Sequence, residues 1–459
     1  MIAKYLRDSM PGWRRILERA AASLLMTFAI VADAQPTVAS APGREWTILI
    51  FMNGKNNLER FAIENFKELA VVGSTSEVSF VVQMGRPLMR KKDEEDLARV
   101  YDGWSGARRF LVSKNQTPAT GQEVEIVGGG EVDMGAPATL EAFLRWGKAK
   151  YPAKRYAVVI WNHGQGYRLI ASGRGAKAAK PSESTPQTEA RIKPTHRAIS
   201  QDRDTGSIIY NADVYMSLTK SFKDELKLVG FDACLMGMLE TAYELKDATP
   251  VVVASEELEP GRGWNYTKLA RAITGAPLSN EFAFATMIVT SYGDNYRNVN
   301  EATTLSAVRT EKIAAVATEL TVLSGIMLAD QQNLFPLVMK ARAQRGAYNN
   351  PDNPVTIDLI GFLNALETEL RAKTPGSPAL EQTQKTRAAA LAAIVKAYAS
   401  KSRSEPFGSY GVAIYFPLSK RAFYSDPWSD GYVRGNAYKP VTFVDKERWS
   451  EFLAAYLGL

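Results

Sequence analysis

Of the 459 residues only one, Cys234, is cysteine and only two, His163 and His196, are histidine. A single cysteine excludes an internal disulfide, so stability has to come from a packed core, and the chain keeps one thiol that needs an explanation. Long apolar runs are also scarce. The one near the N-terminus, Ala20 to Val31, falls well short of the roughly 20 residues that a membrane-spanning helix requires. It follows Lys4, Arg7, Arg14, Arg15 and Arg19 and precedes Ala32-Asp33-Ala34. That is the layout of a secretory signal peptide cut after Ala34, so export to the periplasm or the medium is expected, without stable membrane insertion after cleavage. No later segment reads as transmembrane. Positive charge is in modest excess, with a net charge of +7, but the basic residues are scattered among acids. The clustering on one face that a nucleic-acid footprint needs is missing.

What is present is a long chain with an ordinary apolar fraction. Residues 1–34 are set aside as leader, and the remainder exceeds the roughly 250 to 300 residues at which single cores stop growing. The expected division is a core over residues 35–270 and a C-terminal region over 271–459, mostly helical with a late strand at 410–416. Trp46 to Met52, Val78 to Met84, Tyr156 to Trp161, Leu226 to Phe231 and Val251 to Ala254 are short apolar runs of the kind that form strands buried on both faces. Helical spacing falls between them, at Leu58 to Val72, Pro137 to Lys150, Val214 to Glu225 and Met236 to Lys246. Past Ala270 it recurs at Phe282 to Tyr292, Lys312 to Met327, Ile357 to Leu370, Ala388 to Tyr398 and Trp449 to Leu457. Arg109 to Val112 and Val124 to Val127 alternate like a hairpin excursion. Strands alternating with helices predict an α/β fold, a mainly parallel sheet flanked by helices on both faces. Residues 166–200, rich in Gly, Ala, Ser, Pro and basic side chains, break this pattern and read as a flexible basic loop.

In such sheets reactive groups gather beyond the carboxyl ends of the strands, and His163, Cys234 and Glu256 all fall there. A thiolate attacks a carbonyl carbon, an acid protonates the departing amine, and backbone donors hold the oxyanion. Cys234 and His163 supply the first two. The N–H of Gly164, unobstructed by a side chain, and that of Cys234, expected at a helix start that would lower the thiol pKa, supply the third. Spacing alone leaves the alternatives open: a cysteine buried as a small hydrophobe and a turn histidine satisfied by backbone.

Asn162-His163-Gly164 after one strand, Phe231-Asp232-Ala233-Cys234-Leu235-Met236 after another, and Ser255-Glu256-Glu257 followed by Pro260-Gly261 and Gly263-Trp264 together resemble the clostripain family of cysteine peptidases. The resemblance implies the caspase-like sheet sandwich shared with gingipains, legumains and separase. It also implies a dyad of His163 and Cys234, and endopeptidase cleavage after Arg or Lys through an acyl-enzyme. Asp232 maps to the pocket for the side chain preceding the cut, with a buried helix-capping aspartate as the alternative. Glu257 is a second candidate for that pocket. His196 matches no motif and reads as solvated. Relatives are often cut between histidine and cysteine, and Arg174 to Arg197 is the matching region here. No cofactor is required; calcium is the one the resemblance leaves open, with Asp202 and Asp204 as oxygen donors or, more simply, as turn residues. The competing readings are a catalytically silent binding or adhesion protein with the same fold and a relative with non-basic specificity.

Overall fold

The computed structural model describes residues 43–88, 102–130, 132–164, 198–275, 280–348, 355–404, 408–426, 429–432 and 441–459. The leader, the basic loop as far as residue 197, and His196 lie outside the described residues. Strand β1 (Trp46–Asn53) is buried along its whole length. Its side chains alternate between faces, so Ile48, Ile50 and Met52 enter one core while Leu49 and Phe51 enter another. This double burial is why the strand reads as a continuous apolar run.

β2 (Val78–Arg86) and β5 (Arg155–Trp161) pair with β1 on either side, both parallel. β8 (Leu226–Asp232) pairs with β5, and β9 (Val251–Ala254) with β8, again parallel. Antiparallel strands finish each edge. β3 (Gly106–Leu111) and β4 (Glu125–Val127) extend from β2, and β10 (Thr304–Arg309) and β12 (Ile394–Ala399) extend from β9. The sheet therefore has nine strands in the order β12-β10-β9-β8-β5-β1-β2-β3-β4. Helices 59–70, 266–275 and 281–296 cover one face, and helices 137–150 and 211–221 the other.

A third cluster joins helices 310–329, 331–343, 359–373, 378–393 and 449–457 around a two-stranded sheet of β11 (Thr356–Asp358) and β13 (Ala413–Tyr415). Helix 310–329 has the length and hydropathy of a membrane span. Its Ile313, Val316, Leu320, Leu323 and Met327 are instead buried in this cluster.

The parallel centre and the helical C-terminal region match the sequence reading, with specific departures. β6 (Ala198–Gln201) and β7 (Ile208–Tyr210) form an antiparallel hairpin, so the last residues of the expected basic loop are ordered strand. The region past residue 270 supplies β10 and β12 to the main sheet. The helix expected at Ala388 to Tyr398 ends at Ala393 and becomes β12. There Tyr398 sits edge-on to Tyr292, ring centroids 5.9 Å apart, and an alanine-rich sequence gives no periodic warning of that switch. The helix after the cysteine begins at Leu239, not Met236.

Gly230 marks a close approach of the sheet to its cover. A Cβ there would lie 2.5 Å from the indole of Trp264, itself buried. Gly230→Val is expected to lower stability by about 1–3 kcal/mol through overpacking. An unchanged urea midpoint would contradict this packing.

Candidate active site

The sheet order reverses direction between β1 and β5, the position at which open α/β sheets present their ligand crevice. β5 and β8 lie side by side with Trp161 opposite Asp232. His163 and Cys234 are each two residues beyond that last pair, so one register places both at neighbouring strand ends. Gly164 then lies directly on the cysteine backbone. A Cβ on it would sit 2.3 Å from the Cys234 carbonyl oxygen and 2.8 Å from the Cys234 nitrogen. No other residue type fits that contact.

Cys234 does not open a helix. It sits in a turn whose next residue, Leu235, has φ +63°, a conformation that costs a branched side chain roughly 1–3 kcal/mol. The turn is stitched to the loop after β9. The Leu235 N–H donates to the Glu257 carbonyl at 3.1 Å and the Gly237 N–H to the Ser255 carbonyl at 2.7 Å. The Glu259 N–H donates to Cys234 Sγ at 3.2 Å, and the N–H groups of Gly164 and Cys234 also face the sulfur. Those donors favour a thiolate. Burial is the larger effect and holds the thiol above its ordinary pKa. The pKa-lowering helix start anticipated from sequence is therefore absent, and backbone donors from three separate segments stand in its place.

His163 Nε2 is 2.8 Å from Asn57 Oδ1. An amide oxygen only accepts, so Nε2 carries the proton and Nδ1 is the free base of the neutral ring. Burial, reinforced by the charge of Arg203, pushes the imidazole down to about 4. Near neutral pH the resting pair is accordingly uncharged imidazole and uncharged thiol.

Asp232 is buried, accepting from the Tyr266 hydroxyl at 2.7 Å and the Trp264 N–H at 3.3 Å. These partners lie on the covering helix layer, and Asp232 caps no following helix. Glu259 faces it. Both Glu259 carboxylate oxygens are buried without a hydrogen bond of ordinary geometry, and among the described residues neither acid has a salt bridge. Burial pushes Asp232 up to about 6, and burial with the charge of Asp232 raises Glu259 well above the usual carboxyl range. Glu257, the other acid singled out from sequence, is committed elsewhere: Arg403 Nε and Nη2 both lie 2.7 Å from its Oε2. Glu256 turns away toward Asp358. Asp202 and Asp204 each lie 3.1 Å from the Lys55 ammonium, and Asp202 Oδ1 accepts the Asp204 N–H at 2.9 Å. They form a turn closed by a lysine.

Sequence reasoning missed Asn57, Arg203, Arg403 and Glu259. Asn57 had a signal, the polar run Asn53-Gly54-Lys55-Asn56-Asn57 at a strand end. Glu259 stood between Glu257 and Pro260 in a block already singled out, with nothing in its spacing to show that it faces Asp232.

A model of the clostripain family matches residues 50–456. Clostripain from Hathewaya histolytica is 25% identical over 248 residues, covering 51% of this chain and 43% of that protein. The match thus spans less than half the length of that relative. An inactive zymogen C11 protease from Parabacteroides distasonis superposes with a TM-score of 0.55 at 16% identity, covering 82% of this chain and 92% of that one. A secreted C11 cysteine protease from Bacteroides thetaiotaomicron, in complex with an irreversible peptide inhibitor, gives 0.57 at 15% identity over 90% and 99% of the two chains. These two likenesses establish a shared fold.

A neutral resting pair has a kinetic signature, since thiolate is the species that alkylates. Alkylation of Cys234 by iodoacetamide in the substrate-free protein is expected to keep accelerating as pH rises to 9 and beyond. A plateau between pH 4 and 8 would instead reveal a resting thiolate–imidazolium pair.

Proposed function

Because this chain belongs to the clostripain family, we propose that it is an exported cysteine endopeptidase that cleaves peptide bonds after arginine or lysine, using Cys234 and His163 as its dyad. The observation that carries the basic specificity is the pair of buried carboxyl groups, Asp232 and Glu259, beside the thiol and with no salt bridge among the described residues. Two adjacent buried carboxylates repel, so in the free protein one of them keeps a proton. An incoming guanidinium or ammonium supplies the missing charge, and a guanidinium also matches carboxylate geometry with paired donors.

In the proposed reaction the Cys234 thiol proton passes to His163 Nδ1 as Sγ bonds to the scissile carbonyl carbon. The oxyanion that forms is held by the N–H groups of Gly164 and Cys234. The C–N bond then breaks, and the imidazolium returns its proton to the departing amine. Water attacks the thioester with His163 as base, the acid product leaves, and the thiol is restored. Each step uses only groups of this chain, the substrate and water, so no cofactor is drawn into it. Export is supported by the basic and apolar leader and by the secreted relative. Self-cleavage between Arg174 and Arg197 is supported by the basic residues there and by the relative solved as a zymogen.

Fluorogenic peptides ending in Arg, Lys or Ala test the reading. Turnover of the basic peptides, abolished by Cys234→Ala, is expected, and mass spectrometry should find the 174–197 cut in the native chain but not in that variant. No turnover of any peptide would sink the proposal. Asp232→Asn or Glu259→Gln is expected to lower kcat/KM for basic peptides by about 100-fold or more, the cost of leaving a buried charge without its partner. The Ala peptide should lose far less, and equal losses on all three would mark a structural role.

The pH dependence has a definite sign. kcat/KM reports groups of the free enzyme, and the carboxyl pair must carry charge to meet a cation. Activity on basic peptides should therefore fall as pH drops through about 6, the value to which Asp232 is raised. The Ala peptide should not show that limb.

A further inference from the structure

The two acids of the pocket are not equivalent. Asp232 Oδ2 accepts both the Tyr266 hydroxyl at 2.7 Å and the Trp264 N–H at 3.3 Å, whereas neither carboxylate oxygen of Glu259 receives a hydrogen bond of ordinary geometry. Tyr266 opens helix 266–275 and is wholly buried. Its own N–H donates to Glu68 Oε2 at 3.1 Å, and its ring stacks on that of Trp264 with centroids 6.4 Å apart. The hydroxyl therefore has a fixed direction. Among the described residues no N–H or hydroxyl reaches Asp232 Oδ1. Gly263 lies against that oxygen instead, with φ +57°, and a Cβ on it would sit 2.3 Å away. The Tyr296 hydroxyl holds the glycine in place by donating to its carbonyl at 2.8 Å. The space beside Oδ1 is thus one that any side chain at position 263 would fill.

We infer that Tyr266 is a positioning residue of the carboxyl pocket: its hydroxyl, together with the Trp264 N–H, assigns the negative charge of the acid pair to Asp232 and the shared proton to Glu259, and holds Asp232 with Oδ1 on the Gly263 side for the incoming cation. An N–H can only donate, so a proton on Oδ2 would face the Trp264 N–H. Two donors on one oxygen favour the charged carboxylate. Glu259, with none, loses less by holding the proton. The phenol stays a donor throughout, because burial and the charge of Asp232 drive it well above its ordinary pKa. The titratable groups that face Asp232 are Glu259 from the loop after β9, Cys234 two residues along its own chain, Glu68 from helix 59–70, and the phenols of Tyr266, Tyr292 and Tyr296 from the covering helices. On the β5 side the residue opposite is uncharged Trp161. None of these carries positive charge, so hydrogen bonds alone decide which acid ionises. The inference rests on the pair acting as the proposed cation pocket, but its test does not need turnover.

Benzamidine, a cation across the relevant pH range, reads the pair without any chemical step. Its binding to the full-length protein, followed by calorimetry, should weaken as pH drops through about 6. Tyr266→Phe removes a donor from the charged form, so that midpoint should rise by about one unit. Affinity should then fall about fivefold at pH 6 and hardly at all at pH 8, and kcat/KM on the Arg peptide should show the same split. A folded Tyr266→Phe protein with an unmoved midpoint overturns the inference. So do equal losses at the two pH values, which is what a purely structural role would give. Where Tyr266→Phe does not fold, 3-fluorotyrosine at position 266 keeps the ring and strengthens the donor. The midpoint should then drop, and an unmoved one overturns the inference, as does failure of benzamidine to bind at any pH. Peptide turnover by the unmodified chain separates this failure from that of the proposed function. Absence of turnover beside the expected benzamidine shift removes the peptidase and leaves the proton assignment; turnover of basic peptides with an unmoved midpoint does the reverse.

Discussion

The contact of Gly164 with the backbone of Cys234 fixes what the strand ends can do. Because β5 and β8 run parallel with Trp161 opposite Asp232, the residues that follow each strand emerge side by side, and a glycine is needed where their backbones meet. The imidazole, the thiol and the N–H groups of Gly164 and Cys234 are consequences of that one register. A slip by a single residue would turn Asp232 to the opposite face of the sheet, away from Trp264 and Tyr266, and would separate the specificity pocket from the nucleophile. The turn that carries Cys234 is held by the loop after β9 through backbone hydrogen bonds. The left-handed Leu235 is thus sustained by its neighbours and not by its own preference.

Around this frame lie four groups of buried acids. Glu257 takes Arg403, and Asp202 with Asp204 takes Lys55. Glu256 and Asp358 face each other. Asp358 accepts from the N–H groups of Gly361, Tyr410 and Gly411, and Glu256 also accepts from Gly411. Burial raises both and the charge of Asp358 raises Glu256 further, so a shared proton takes the place of a counter-ion. Asp232 and Glu259 likewise share a proton, have no salt bridge among the described residues, and are the acids next to the thiol. Charge that is compensated within the chain serves the architecture; charge left uncompensated marks where a ligand is expected.

Legibility from sequence followed the range of the interactions involved. Strands buried on both faces announce themselves as apolar runs, and the helix at 137–150, with Pro137 at its start, has the bounds its periodicity suggested. The placement of His163 and Cys234 at neighbouring strand ends was legible because each follows an apolar run of the kind that forms a buried strand. The strand at 394–399 was not, because an Ala-rich helix runs straight into it and only its pairing with β10 and the packing of Tyr398 make it a strand. Nor was the setting of the cysteine, where a helix start was expected and a strained turn is found. Which acid meets which cation was the least legible of all. Arg403 is far from Glu257 in sequence, as Lys55 is from Asp202, and no local pattern records pairings of that span.

The neutral resting dyad and the uncompensated acids belong to one electrostatic problem. Glu257 and the Asp232–Glu259 pair, which shares one proton, place negative charge near Cys234, which disfavours a thiolate before substrate arrives. Arg403 neutralises the first. On the proposed reading the substrate's own guanidinium or ammonium neutralises the second, so the charge that docks the peptide also lowers the cost of ionising the sulfur beside its carbonyl. His163, kept unprotonated by burial and by Arg203, is then ready to take the thiol proton at that moment. A peptide lacking the cation would lose binding and would also meet a less reactive nucleophile, so that specificity is expressed in the chemical step as well as in affinity.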